Sequence, residues 1–319
     1  MPRKLMCLFS SLLLLPPAAI PWSAHGHQTV AEIALLFLKQ SNPDAFKNLG
    51  TELGIESLAD ASTWMDDIKN VETTPSDPDT VVFLNAAANK KHKDWHFVNL
   101  PLNCTSYAAC SQSPTDFSLN NDIVHMINEA VQVFKGSTAA QKSRFSKRVA
   151  IRILAHLIGD LHQPLHVGCG YIRKLSQQKF EFVRDPVLVK QKNLGHDRGG
   201  GRLLFGSNNL HSHWDGSLVN RLDQQILTDF APTIKMKTPP QPSWTPQGAV
   251  LTWAGQFATD SMKLSASSAY KGVAPRKQQS QDFTIDLDKT YSTDRLPDVQ
   301  VQLVKGGFRL ALVLAEVLK

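Results

Sequence analysis

One short run carries the densest chemistry in the chain: His156-Leu-Ile-Gly-Asp160-Leu-His162-Gln-Pro164-Leu-His166. His156 and Asp160 stand four residues apart, so on a helix they share a face and can converge on one metal ion. Ile153, Leu154, Leu157, Ile158 and Leu161 surround them. That setting predicts burial on most sides, where imidazoles and carboxylates must be paired or bound to metal. A helix of solvated histidines would not carry such flanks. Pro164 ends the helical pattern, which lets His166 turn toward the same cleft. A second run, His211-Ser-His213-Trp214-Asp215, repeats the spacing between His211 and Asp215, with His213 directed elsewhere. Taken alone it also fits a solvated pair.

The elements that must position these residues are mostly helices. Apolar residues recur at three and four positions in Val30, Ile33, Ala34 and Phe37, and again from Ile123 through Met126, Ile127 and Ala130 to Phe134. Ser137 is a candidate N-cap for the helix running through Phe145, Val149 and Ile153 to His156. Further helical patterns follow Trp214, occupy Ala249 to Ser267, and run from about Pro297 to Leu318. Strand patterns are few, Phe180 to Val183 and Leu203 to Phe205. Two stretches read as irregular. One is Gly168 to Asn209, with its Asp197-Arg198-Gly199-Gly200-Gly201 core, and the other is the proline-dotted Ala231 to Pro246. The helices on either side of the second are too few for separate cores, which predicts one mainly α domain over residues 22–319 around a metal cleft.

Residues 1–21 read as an export signal. Arg3 and Lys4 precede an apolar run from Leu5 to Leu15, too short to span a membrane. The expectation is a secreted or periplasmic protein with no integral membrane segment after removal of the signal. The chain has 319 residues, 42% hydrophobic and 19% charged, which excludes intrinsic disorder, collagen and a small disulfide scaffold. Of 34 basic residues two lie in the signal, leaving 32 against 28 acidic ones, a formal charge of +4. So small an excess suits a polyanionic substrate without demanding one. Cys104 and Cys110 could close a small loop in an oxidising compartment, leaving Cys169 unpaired.

Several motifs in fixed order resemble the S1/P1 nuclease family: Trp22-Ser-Ala-His25-Gly-His27, Thr63-Trp64-Met65-Asp66, Trp95-His96-Phe97-Val98-Asn99, His156 to His166, and Leu210 to Asp215. Gly307-Phe308-Arg309-Leu310-Ala311 looks like the family's final helix, so the resemblance covers essentially all of residues 22–319. It implies a phospholipase C/nuclease-type helical fold and three zinc ions. Asp66, His96, His156 and Asp160 would hold the first. His166, His211 and Asp215 would hold the second. Trp22, through a free amino nitrogen and its carbonyl oxygen, would hold the third with His27 and Asp160. Imidazole and carboxylate suit zinc, and Asp160 can bridge two ions through its two oxygens.

The implied reaction is hydrolysis of phosphodiesters in single-stranded DNA and RNA to 5′-phosphorylated products, with 3′-nucleotides as further substrates. Zinc would activate a water for in-line attack, with Asp160 central and Lys69 stabilising charge at the phosphate. Lys69 also fits a solvated helix lysine. The expected state is a monomer. His162 reads as a hydrogen-bond donor behind the ligands, Asp67 as a solvated neighbour, and His25, His92 and His125 as surface residues. His196 could orient a ligand. Gly201 follows Gly199-Gly200 where the family usually carries Asn, so that loop's substrate contacts are not carried over, and Asn99 and Ser217 stand near base-contacting positions of fungal relatives, so neither is their base preference. Two other readings remain: a trinuclear-zinc phospholipase C, from which the Trp22 to His27 spacing and Asp215 depart, and a secreted zinc-binding protein without catalysis.

Overall fold

The computed structural model describes residues 22–70, 75–112, 117–136, 144–226 and 229–319. Among them are α1 (Ala24–Ser41), α2 (Pro43–Leu53), α3 (Leu58–Asp67), α4 (Pro78–Asn85), α5 (Tyr107–Cys110), α6 (Ile123–Gln132) and α7 (Lys147–His162). They continue with α8 (Pro186–Gln191), α9 (Leu210–Ser212), α10 (Leu218–Ile226), α11 (Phe230–Lys237), α12 (Trp253–Leu264) and α13 (Tyr291–Val317). The fold is mainly α, as the apolar spacing predicts.

At the centre is α7, whose residues from Val149 to His162 are all buried, with α3, α6 and α13 packed around it and α1 laid along α13. Its start is set by Ser146, whose hydroxyl accepts from the Val149 N–H at 3.2 Å. The sequence pattern had placed that cap at Ser137, which lies outside the described residues. The one cation in the middle of α7, Arg152, is 3% exposed and is held by Glu56 at 2.9 Å and Asp77 at 2.6 Å, as a buried charge requires. Ser57 caps α3 and Asp122 caps α6, each accepting an N–H from three residues on.

The strands are short: β1 (Leu100–Pro101), β2 (Gly168–Cys169), β3 (Tyr171–Ser176), β4 (Lys179–Val183), β5 (Leu203–Phe205), β6 (Asn208–Asn209), β7 (Gln278–Gln279) and β8 (Asp282–Thr284). Strands β3 and β4 form an antiparallel hairpin, and the order β6-β5-β8-β7 makes the largest sheet. The parallel pair β1–β2 matters most for the site. Leu100 opposes Gly168, and the N–H groups of Val98 and Leu100 donate to the carbonyls of His166 and Val167, both at 2.9 Å. This zips the segment after His96 to the segment after His166.

Three boundaries differ from the sequence reading. Gly168 to Asn209 is not one irregular stretch, because it contains β2 to β6 and α8. The residues around Pro232 form α11, and only 238–246 remain irregular apart from a single 3-10 turn at Pro242–Trp244. The last helix begins at Tyr291 and carries Pro297 inside it. Pro297 is its seventh residue, beyond the first turn where N–H groups have no intrahelical partner, so one intrahelical hydrogen bond is lost there, and packing against α1 and α10 supports the helix around it. Cys104 and Cys110 are joined, and Cys169 is free and buried. No helix of the described residues is long and apolar enough to cross a membrane.

Candidate metal centre

Four segments converge on Asp160, which is fully buried. Its Oδ2 lies 2.8 Å from Nδ1 of His96 and 3.1 Å from Nε2 of His156, one turn back on α7. Its Oδ1 lies 3.2 Å from Nε2 of His27 on α1 and 3.7 Å from Nδ1 of His166. Asp66, at the end of α3, brings Oδ1 to 3.6 Å from Nε2 of His156 and 4.0 Å from Nδ1 of His96. Lys69 donates to the same Oδ1 at 2.7 Å.

After α7 ends, Pro164–His166 forms a 3-10 turn that swings His166 round toward Asp215. Nε2 of His166 lies 3.5 Å from Asp215 Oδ1, and Nε2 of His211 lies 3.3 Å from Oδ2. Asp215 sits in a π-turn, His213–Ser217, between α9 and α10. Such widened turns accompany functional sites. His211 and Asp215 do converge, and His213 points away to Ser292 at 3.0 Å.

The imidazoles are aimed by carbonyl oxygens, which fixes which nitrogen faces the centre. Nδ1 of His156 meets the Ser62 carbonyl at 2.7 Å, Nδ1 of His166 the His96 carbonyl at 2.7 Å, and Nδ1 of His211 the Gly199 carbonyl at 2.9 Å. Gln163 donates its amide to Asp215 Oδ1 at 2.6 Å. Trp22 is fully buried and donates its indole N–H to the Gly159 carbonyl at 2.8 Å, which ties its ring to α7 at the residue before Asp160.

Electrostatics mark the cluster as built for cations. Burial would raise the Asp160 carboxyl, but the imidazoles of His156 and His166 and hydrogen bonds hold it well below the usual carboxylate range. Burial pushes His96 down to about 3, with Lys69 adding to the effect. Against the cost of burial, Asp160 and Asp215 lift His166 to about 9. Three carboxylates converge here, and Lys69 is the one Lys or Arg whose ammonium pairs with them among the described residues.

The residues fit metal ions. Three His/Asp groups bring their ligand atoms within 4.8 Å of one another: His27, His156 and Asp160; Asp66, His96 and His156; His166, His211 and Asp215. Nε2 of His27 and His166, Oδ1 of Asp160 and Oδ2 of Asp215 are buried without a hydrogen-bond partner among the described atoms. Buried lone pairs left unmatched and facing one another are what a shared cation would satisfy.

Beside His96 a cavity of about 210 Å³ opens, lined by Phe97, Asn99, Phe117, Tyr171, Lys190 and His196. The Tyr171 hydroxyl donates to the Asn99 carbonyl at 2.8 Å. Ser217 lies apart from it and accepts from Asn208 at 3.2 Å.

Other histidines are corrected by their surroundings. His162 does not stand behind a ligand. Its Nδ1 donates to the Ile158 carbonyl at 2.7 Å and its Nε2 faces Arg309, in the seam between α7 and α13. The donor behind a ligand is its neighbour Gln163. His92 is 6% exposed, packed against Phe83 and Trp95, because its ring fills an aromatic cluster. His25 and His125 are partly exposed and pair with Asp223 and Asp122, and Asp67 is exposed as expected. Sequence spacing pointed to the ligand-type side chains but not to Gln163 or to the carbonyls of Ser62 and Gly199. Only folding brings those to the site, and a backbone oxygen leaves no mark in residue type.

Fold and site together define a helical protein built around histidine and aspartate groups that can hold metal ions. The family model described as S1/P1 Nuclease matches residues 22–319, and the chain belongs to that family. It is a hydrolase acting on phosphodiester bonds. Its relatives include Endonuclease 2 of Arabidopsis thaliana, 24% identical over 306 residues, which cover 95% of this chain and 92% of the relative. Nuclease P1 of Penicillium citrinum is 25% identical over 312 residues, 91% of this chain and 95% of the relative. Nuclease S1 of Aspergillus oryzae is 27% identical over 172 residues, 52% of this chain and 50% of the relative.

Proposed function

We propose that this protein is an exported endonuclease that carries three zinc ions and cleaves single-stranded DNA and RNA to 5′-phosphorylated products, with 3′-nucleotides as additional substrates. The observation that carries the reading is the set of orphaned, buried ligand atoms of His27, His166, Asp160 and Asp215, gathered in a nuclease-family chain. Asp66, His96, His156 and Asp160 hold one ion. His166, His211 and Asp215 hold the second. His27 and Asp160 hold the third together with Trp22.

Trp22 serves as a ligand only after residues 1–21 are removed, because its nitrogen is otherwise part of the Pro21–Trp22 peptide bond. The indole bond to Gly159 supports this role by anchoring the ring at the residue before Asp160. Export with removal of residues 1–21 suits the Cys104–Cys110 bond, which persists in oxidising compartments. The mature chain acts as a monomer over residues 22–319.

When bound, zinc supplies an activated water for in-line attack and polarises the phosphate oxygens. The chain's own groups do the rest. Asp160 presents Oδ1 to His27 and Oδ2 to His96 and His156, so it would contribute a ligand oxygen to each of two ions. Gln163 keeps Asp215 from rotating. Lys69 places a positive charge at the rim beside Asp66, where it can meet a phosphate oxygen as negative charge builds on it. The cavity beside His96, with Phe97 at its wall and Asn99 at its edge, suits an unpaired base, which favours single strands.

The test is one preparation of the protein secreted from a host. Zinc is counted, the amino terminus is sequenced, and single-stranded DNA, RNA, duplex DNA, a 3′-nucleotide and phosphatidylcholine vesicles are assayed side by side. The expected result is three zinc ions, a start at Trp22 and preference for single strands. Lipid cleavage without nucleic-acid cleavage would overturn the reading. Bound zinc with no hydrolysis of any substrate would make the protein a zinc-binding one.

A further inference from the structure

Beside the metal centre lies a second buried carboxylate that touches no ligand side chain. Asp197 is 1% exposed and has no Lys or Arg partner among the described residues. It accepts from four donors: the N–H of Gly170 at 3.1 Å, the N–H of Gly200 at 3.1 Å, the Tyr270 hydroxyl at 2.8 Å, and the Cys169 thiol at 3.2 Å. Burial pushes the Cys169 thiol well above its ordinary value, so it stays protonated and can donate. A buried carboxylate with no counter-charge is costly, and here it is spread over hydrogen bonds to three separate segments.

Those bonds hold a backbone that would not otherwise keep its shape. Arg198, Gly199 and Gly200 run through φ values of 57°, 57° and 84°, three successive left-handed residues with one of them not glycine. Such a run persists only when its surroundings over-determine it. The structure makes room for the clamp. A Cβ on Gly170 would lie 2.5 Å from Asp197 Oδ2. At the middle of the turn, a Cβ on Gly199 would lie 2.0 Å from the Leu165 carbonyl oxygen and 3.3 Å from Nδ1 of His211. The Gly199 N–H donates to Cys169 Sγ at 3.2 Å, and its carbonyl accepts from His211 Nδ1 at 2.9 Å.

We infer that Asp197 is a positioning residue for the site formed by His166, His211 and Asp215: by clamping the 198–200 turn it places the Gly199 carbonyl that orients His211. The chain of contact is short. Asp197 holds the Gly200 N–H, which belongs to the same peptide unit as the Gly199 carbonyl, and reaches the Gly199 N–H only through Cys169; that carbonyl fixes the tautomer and tilt of His211, and Nε2 of His211 is thereby turned to Asp215. Tyr270 ties this arrangement to the end of the helical run that follows α12, since its hydroxyl also accepts from the Gly170 N–H at 3.1 Å. Asp197 touches neither substrate nor metal and acts only through His211.

This inference rests on the reading of that site as a zinc site, and the experiment separates the two. Zinc affinity is measured by chelator competition on the purified protein and on Asp197→Asn, Asp197→Ala and Tyr270→Phe. Cobalt-substituted protein is followed by its visible absorption, which reports ligand geometry without any turnover. The expected result is that one ion of the set weakens, by about 10- to 100-fold as outer contacts of metal ligands do. The cobalt band of that site shifts, and the order of effect is Ala, then Asn, then Phe. Asn keeps an acceptor for the two N–H groups, and Phe at 270 removes a single hydroxyl, so these two decide the matter if Asp197→Ala does not fold. If all sites keep their affinity within twofold and the cobalt spectrum is unmoved in the folded variants, the positioning role is overturned while the zinc site stands. If the unaltered protein takes up no ion at His166, His211 and Asp215, the zinc reading falls and the inference falls with it.

Discussion

Oδ1 of Asp160 and Nε2 of His27 lie 3.2 Å apart, both fully buried, each an atom without a hydrogen-bond partner among the described residues. A carboxylate oxygen and an imidazole nitrogen this close and this deeply buried are poised to share a cation. The other oxygen of Asp160 faces His96 and His156. One side chain therefore joins two ligand groups, and its replacement affects both.

Asp160→Asn should retain the fold but lose turnover on single-stranded DNA by more than about 100-fold, beyond what a lost outer hydrogen bond costs. It should also bind fewer zinc ions than the parent. Elemental analysis alongside a nuclease assay checks both, and a fully active variant with its zinc intact would refute the bridging role.

Lys69 sits where two roles compete, a counter-charge for Asp66 at 2.7 Å and a contact for the substrate phosphate. If it stabilises the transition state, Lys69→Ala lowers kcat by about 100-fold, the scale of one lost donor to a developing anion. Zinc content should stay unchanged. A fall of less than twofold would leave Lys69 as a partner of Asp66 and nothing more.

Removing metal should destabilise the whole domain, because the ligand-type residues come from α1, α3, α7 and the π-turn after α9. An ion present at about 1,000 times its Kd adds roughly 4 kcal/mol. Chelation should therefore lower Tm by roughly 5–10 °C for each ion lost. Thermal unfolding followed by circular dichroism with and without a chelator measures it, and an unchanged Tm would count against structural metal binding.

Acid should weaken the zinc-loaded protein through His162. Burial, with Arg309 nearby, holds this imidazole well below its ordinary 6.5, so it is neutral in the folded state while the unfolded chain takes up a proton. The unfolded state binds more protons below pH 6.5, and stability falls as pH drops through that value and is complete above it. His162→Gln should flatten the fall in urea midpoint between pH 6.5 and 5. An identical slope in the variant would assign the acid sensitivity to other groups.

Much of the centre was readable without coordinates because helices repeat. A spacing of four puts His156 beside Asp160 whatever surrounds them, and the apolar flanks of α7 announce its burial. The order of motifs led to the right family, and the two expected strands, Phe180–Val183 and Leu203–Phe205, fall on β4 and β5, while the other six strands among the described residues left no pattern of their own. The cap of α7 was misplaced because two serines offer the same chemistry, and only packing chose Ser146. The start of α13 was placed late because Pro297 reads as a boundary, whereas packing against α1 and α10 carries the helix through the proline. His92 looked like a surface residue because local sequence says nothing of Phe83 and Trp95 closing over it.

Residue types and their spacing were therefore enough to determine a helical chain of the S1/P1 nuclease family with its ligand-type residues, since each follows from local geometry or from motif order. Tertiary structure alone decided how those residues are aimed. The β1–β2 pairing that draws His96 to His166, the carbonyls that choose each imidazole nitrogen, and the Asp197 clamp on the Gly199 turn all join segments far apart in the chain. A hydrogen bond to a distant carbonyl depends on where the backbone has been carried, and that is set by the packing of the whole domain.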